Sequence, residues 1–277
     1  MMGRTIMAGG APKMTVPSKP SNLPEIGTPL NDMSWEEIRA ISDAGLASSY
    51  FNVGDRKAVT LNGTVGSLSL SGTYYCYIIG IDHNSTIEGT NRIHFQFGNT
   101  DASGGTNICF IDTGYGNSKN SGSWFNMNNI SSNRGGWESS LMRTVICPAF
   151  KSAMPSELQA VLKTVTKYSD NTGGGSDNAS YMTATTDDIF LLSEWEVFGS
   201  KTAANSAEQN YQAQYDYYSA GNSRVRYFHS HLDIGASWWL RSVYAIVTNA
   251  SCCVTTSGGA GYSSPMASLG FAPAFCV

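Results

Sequence analysis

Residues Trp238 to Val277 read WWLRSVYAIVTNASCCVTTSGGAGYSSPMASLGFAPAFCV, and after Arg241 no side chain of the stretch is charged. Its Ser, Thr, Asn, Gly and Tyr content rules out a membrane span despite the missing charges. The two ends differ in kind from the middle. Trp238-Trp239-Leu240-Arg241-Ser242 opens the stretch and Gly270-Phe271-Ala272-Pro273-Ala274-Phe275-Cys276 closes it. Burying large apolar side chains of this sort stabilises a fold by ~1.5–3 kcal/mol each. Trp238, Trp239, Arg241, Phe271 and Phe275 are therefore expected structural anchors. Small and polar side chains in between have little use in a core, so the middle is expected to be a binding surface.

The pairing of WWLRS with a terminal GFAPAFC resembles the variable proteins of diversity-generating retroelements. These carry a C-type lectin fold of the formylglycine-generating-enzyme type, and related domains occur in phage tail and bacterial surface proteins. Segments similar to that family recur upstream: the Trp-led helix Ser34–Gly45, the turn Tyr50-Phe51-Asn52-Val53-Gly54-Asp55, GGWESSLMR at 135–143, and FLLSEWEVFG at 190–199. The resemblance covers nearly everything from Ser34 onward. It implies an α+β, C-type lectin-like ligand-binding domain over 34–277, an antiparallel sheet with flanking helices and long loops, and a variable region at about 238–277.

Aligned with the positions that the family leaves to variation are Tyr244, Ile246, Val247, Asn249, Ala250, Cys253, Thr255, Ser257, Gly259, Tyr262, Ser263, Ser264 and Met266. These are expected to face outward and bind ligand, with Cys252, Val254 and Thr256 pointing inward or pairing in the sheet. In that family, adenine randomisation of Asn codons produces codons that cannot encode Lys, Glu, Gln, Trp or Met. From Val243 through Pro265 none of the five appears, and Met266 is a departure that needs a fixed or differently templated codon.

The resemblance thus implies a hypervariable receptor-binding protein, a phage tail tip adhesin that recognises a host cell-surface protein or glycan. It implies no catalytic residues, cofactor or metal, and a location in the virion's tail or on a bacterial surface. Family members are monomers or trimers, and no coiled-coil heptads decide between the two here. The same fold houses a formylglycine-generating oxidase, which needs an activated thiol; no basic residue follows Arg241 to lower a thiol pKa beside Cys252-Cys253 or Cys276. It also houses calcium-dependent lectins, but calcium wants carboxylate oxygens and the terminal stretch offers none in its side chains.

Composition supports recognition over charge-driven binding. A net charge of -4 with 14% charged residues leaves no electrostatic footprint for nucleic acid. Aromatic content of 11% beside 29 glycines fits a loop-rich globular protein. The six cysteines, at 76, 109, 147, 252, 253 and 276, show no C-x-x-C pair or zinc spacing and read as reduced, buried thiols. No segment reads as a membrane insertion or a secretory leader.

In chain order, residues 1–33 are Pro-rich and aperiodic and read as an extended arm, a possible attachment segment to other tail proteins, with Arg4–Gly10 resembling some tail-protein openings. A capping box, Ser34-Trp35-Glu36-Glu37, starts a helix with Trp35, Ile38 and Ile41 on its core face and Gly45 at its end. Ala58–Leu61 and Tyr74–Ile81 read as strands. Ile93, Phe95 and Phe97 alternate with His94 and Gln96, which predicts a strand with one wet face and a solvated His94. Gly98–Arg134 reads as a long loop, Glu138–Ile146 as a helix ending before Pro148, and Pro155 as the start of another. Ile189–Leu192 predicts a buried strand, followed by a second capping box at Ser193–Glu196. Tyr211–Tyr218 fits either recognition or packing around a polar core, and His229, His231 and Asp233 could share a strand face as metal ligands.

Overall fold

The computed structural model describes residues 23–118 and 124–277. Its architecture is mixed α+β, mostly sheet with few helices, around a curled antiparallel sheet. That sheet contains β1 (Arg56–Val65), β2 (Leu68–Ile81), β3 (Ile93–Asn99), β7 (Ile189–Phe190) and β13 (Ala274–Cys276), in the order β1-β2-β3-β13-β7. Val65 and Leu68 pair across a two-residue turn in which Gly66 takes a φ of 58°, the left-handed conformation that tight hairpins need. The last strand of the chain is inserted beside β3, Phe275 opposite Phe95.

The helix Trp35–Asp43 covers one face of this sheet. Ser34 accepts from the Glu37 amide while the Glu37 side chain accepts from the Ser34 amide, so both ends of the predicted capping box are made. Trp35 then packs edge-on against Phe95 and Phe275, at 5.6 and 6.0 Å between ring centroids. Residues 1–22 of the expected arm, with the Arg4–Gly10 segment, lie outside the described residues. The remainder of that arm is not extended away from the domain. Leu23, Leu30 and Met33 are buried, and Asn31 Oδ1 accepts the Ala58 amide at the free edge of β1, so packing begins ahead of Ser34.

The predicted wet face of β3 is overturned: every residue from Ile93 to Asn99 is buried and His94 is fully enclosed. The reason lies in the tyrosines. Tyr215, Tyr217 and Tyr218 are buried against β2 and β3, and Tyr218 and Tyr77 both donate to Gln96 Oε1, at 2.7 and 3.1 Å. The 211–218 cluster is thus packing around a polar core, with Tyr211 stacked on Tyr168 at 4.4 Å. The helix expected to end before Pro148 instead continues: a π-helical turn, Met142–Ile146, runs into an α-helix, Cys147–Ala153, which carries Pro148 in its first turn.

Three smaller sheets surround the main one. β5 (Val165–Asp170) pairs antiparallel with β6 (Met182–Asp187), while β4 (Ile108–Cys109), β8 (Arg226–Phe228) and β9 (His231–Ala236) form a second unit. The third contains β10 (Trp238–Val243), β11 (Ser251–Val254) and β12 (Ala260–Ser263), antiparallel throughout. Among the described residues no helix is long and apolar enough to cross a membrane.

Candidate functional site

The β10–β12 sheet is fixed from behind. Trp238, Trp239, Arg241, Phe271 and Phe275 are all fully buried, as expected of anchors. Each indole also finds an acceptor, Trp238 Nε1 on the Arg224 carbonyl at 3.0 Å and Trp239 Nε1 on the Phe125 carbonyl at 2.7 Å. The two ends of the stretch meet directly, since the Trp239 amide donates to the Gly270 carbonyl at 2.9 Å. Only glycine fits there: a Cβ on Gly270 would lie 2.3 Å from Cys109 Sγ.

Ahead of this scaffold stand the expected outward residues. Ile246, Asn249, Ser257, Gly259 and Tyr262 are exposed, while Tyr244, Val247, Thr255, Ser263, Ser264 and Met266 are half-buried. Tyr244 lies against Tyr262, 4.6 Å between centroids, which leaves Tyr262 the outermost ring at 58% exposure. Thr255 holds a turn, its Oγ1 accepting the Gly259 amide at 3.1 Å, and Gly258 supplies the left-handed φ of 82°. Two expectations fail. Ala250 and Cys253 are buried: Cys253 lies in the middle strand, paired with Trp239 on one side and Gly261 on the other, and Ala250, just ahead of that strand, has its carbonyl held by the Asn133 side chain and the Tyr244 amide. Thr256, expected inward, is exposed because the strand has ended at Val254.

The loop before β11 is held by Asn133, near the end of the long Gly98–Arg134 segment. The Asn133 side-chain amide donates to the carbonyls of Tyr244, Val247 and Ala250, at 3.2, 2.8 and 2.6 Å, and its backbone amide donates to Thr248 at 2.7 Å. Asp112 does the same for the C-terminal side, accepting from Ser268 Oγ at 2.7 Å and from the amides of Gly114 and Phe125. No local pattern announces the hold of either residue on the terminal stretch, since Asn133 reaches Ala250 and Asp112 reaches Ser268 across more than a hundred positions.

A second, buried cluster lies behind the anchors. Lys167 Nζ donates to Glu88 Oε2 at 2.7 Å, to Glu196 Oε1 at 2.9 Å and to the Tyr215 hydroxyl at 2.9 Å. Burial alone would raise the Glu196 pKa, but Arg241 and Lys167 outweigh it and hold the carboxyl below its usual range. Burial, reinforced by Lys167, lowers His83 to about 3. His94 is pushed well down by the same causes. His83, Glu88 and Glu196 bring ligand atoms within 4.8 Å of one another, but the Lys167 ammonium already occupies their shared acceptors. With Lys167 and Arg241 balancing the two carboxylates, a divalent cation would add uncompensated buried charge. The proposed His229–His231–Asp233 grouping is not what the fold assembles: His229 Nδ1 accepts the Ile111 amide at 3.1 Å, and His231 points into solvent.

The nearest approach to a nucleophile and base is Cys276 Sγ on His94 Nδ1, at 3.1 Å. Both are fully buried, and burial raises the thiol while lowering the imidazole, the reverse of a thiolate–imidazolium pair. Burial likewise raises Cys253 to about 12. What the outward surface can do chemically is different: it offers hydroxyls, amides and an aromatic ring on a fixed backbone, the inventory of a recognition surface.

The fold defines an α+β protein whose terminal stretch is displayed on a small sheet and locked by distant loops. A family model described as a domain of unknown function, DUF6273, matches residues 110–277, and the chain belongs to that family. No curated protein matches the chain. No solved structure matches it either.

Proposed function

We propose that the chain is a hypervariable ligand-recognition protein of the diversity-generating retroelement kind, on a C-type lectin-like fold of the formylglycine-generating-enzyme type. The observation that carries this reading is the split within residues 238–277: the apolar ends are fully buried, and the uncharged middle presents Ile246, Asn249, Ser257 and Tyr262 to solvent. In this reading the ligand is a host cell-surface protein or glycan, met from a phage tail tip or a bacterial surface. The segment ahead of Leu23 then serves as attachment to neighbouring tail proteins, and the chain acts by binding, as a monomer or trimer.

An oxidase is disfavoured by the raised thiols of Cys253 and Cys276, and a calcium lectin by the lack of side-chain carboxylates after Arg241. The test is a triple variant, Ile246→Ser, Asn249→Ser and Tyr262→Ser, followed by thermal melting and a host-cell adsorption assay. Exposed substitutions shift stability by within ~0.5 kcal/mol each, whereas an interface aromatic carries ~2 kcal/mol or more of binding. A folded variant that adsorbs normally defeats the reading. Independently, a near-copy of the codons for residues 238–277 beside a reverse-transcriptase gene is expected in the neighbouring DNA.

A further inference from the structure

Residues 128–133 read Asn-Asn-Ile-Ser-Ser-Asn, five small polar side chains around one aliphatic. The segment is a closed loop: Asn128 Nδ2 donates to the Ser132 carbonyl at 3.0 Å, the Asn129 amide to Asn128 Oδ1 at 2.8 Å and the Ser132 amide to the Ile130 carbonyl at 2.7 Å. Both its feet stand on the terminal stretch. The Asn128 amide donates to the Pro265 carbonyl at 2.9 Å, and the Asn133 amide to the Thr248 carbonyl at 2.7 Å. At its tip Ile130 is 57% exposed, comparable with Ile246 at 60% on the stretch that the loop grips.

An aliphatic side chain at the tip of a loop pinned in this way is held out at little further conformational cost, which is how a binding anchor is pre-organised. We propose that Ile130 is a fixed apolar anchor of the recognition surface, and that the surface takes an uncharged, apolar-containing patch of a protein. The inference rests on the ligand-recognition reading above and narrows its ligand class. Charge and chemistry choose the occupant. No side chain from Ser242 to Val277 or from Trp124 to Asn133 is charged, and the first charge beyond the loop is the exposed Arg134 at its outer foot, so the part of the face between Ile130 and the terminal stretch is matched to a neutral patch. An isoleucine has no hydrogen bond to give a sugar and no ring face to stack on it, whereas it fills an apolar pocket on a protein at ~1.5–3 kcal/mol when fully buried.

The probes are a displayed library of random peptides and an array of bacterial surface glycans, each presented with the full chain, with Ile130→Asp, with Tyr262→Ser and with Ile26→Asp. Ile26, 63% exposed on the segment whose Pro24 carbonyl accepts from Tyr50, controls for nonspecific stickiness. Enriched peptides are expected to be apolar and uncharged and to lose ~10-fold or more in affinity for Ile130→Asp, while Ile26→Asp binds as the parent does. Melting of Ile130→Asp should match the parent, and Ile130→Leu should restore most of the affinity. Binding to glycans alone overturns the inference, as do peptides indifferent to Ile130→Asp or a library with no binder. If Tyr262→Ser abolishes binding and Ile130→Asp does not, the recognition surface stands and only the anchor falls. If neither substitution matters, both readings fall.

Discussion

The Arg241 guanidinium donates to both carboxylate oxygens of Glu196, Nη2 to Oε1 at 2.9 Å and Nη1 to Oε2, with neither side chain reaching solvent. Glu196 Oε2 also accepts the Ser193 amide at 2.9 Å, so one carboxylate closes the capping box of the helix Glu194–Phe198 and neutralises the arginine of WWLRS. The sheet that displays the terminal surface is thereby tied to the helix before it and, through Lys167, to β5.

Replacing Glu196 by Gln keeps the shape and removes the charge, leaving Arg241 and Lys167 to face Glu88 alone. Breaking a buried pair in this way costs ~3–5 kcal/mol, because the cost is that of an uncompensated charge. Urea unfolding should show a correspondingly lower midpoint. A midpoint equal to the parent's would mean that the pair contributes nothing to the fold.

Trp239→Ala should be comparably damaging for a different reason. The indole is fully buried and donates to the Phe125 carbonyl at 2.7 Å, so truncation leaves a cavity and leaves that carbonyl with only the longer bond from the Leu269 amide, at 3.4 Å. A cost of ~3–5 kcal/mol is expected from the cavity alone. Calorimetry checks it, and an unchanged melting temperature would remove Trp239 from the list of anchors.

Glu208 gives a pH signature. Burial pushes its carboxyl from the ordinary 4.5 up to about 8, and its Oε1 has no hydrogen-bond partner. Between those two values the unfolded chain releases the proton and the folded chain keeps it. Stability contributed at this site is therefore present below pH 4.5 and is lost as pH rises through about 8. Glu208→Gln should accordingly be more stable than the parent at pH 8 and close to it at pH 5. Equal differences at both pH values would show that the carboxyl does not titrate in that window.

What could be read from the sequence follows the range of the interaction. Both capping boxes, at Ser34 and Ser193, are local chemistry and form as predicted. The five anchors announced themselves by size and polarity. The alternation of β3 gave the right strand and the wrong environment, because the cover over His94 and Gln96 comes from Tyr215 and Tyr218, more than a hundred positions on. Asn133 had no signal of its own: an asparagine in an Asn/Ser/Gly loop looks like any other until its three carbonyl acceptors are brought to it. Cys253 is misplaced for a related reason, since a period of two assigns faces but does not say that a strand will be central, and Ala250 because the Asn133 loop that covers it is remote in sequence.

Positions 253 and 257, four residues apart, differ sharply in what surrounds them. Cys253 is buried between Trp239 and Gly261 in neighbouring strands, with its Sγ 3.6 Å from where a Gly261 Cβ would lie, whereas Ser257 is exposed on the turn that Thr255 holds. A tyrosine at 253 overpacks a closed site and should cost ~1–3 kcal/mol or more. The same residue at 257 has open solvent ahead of it and should shift stability by no more than ~0.5 kcal/mol. Thermal melting of Cys253→Tyr and Ser257→Tyr makes the comparison. If the surface is diversified, sister copies of the gene should vary freely at 246, 257 and 262 and keep small side chains at 250 and 253, because a variant that unfolds displays nothing. Equal tolerance at 253 and 257, in melting or in natural variation, would mean that burial does not set the limits of the variable surface.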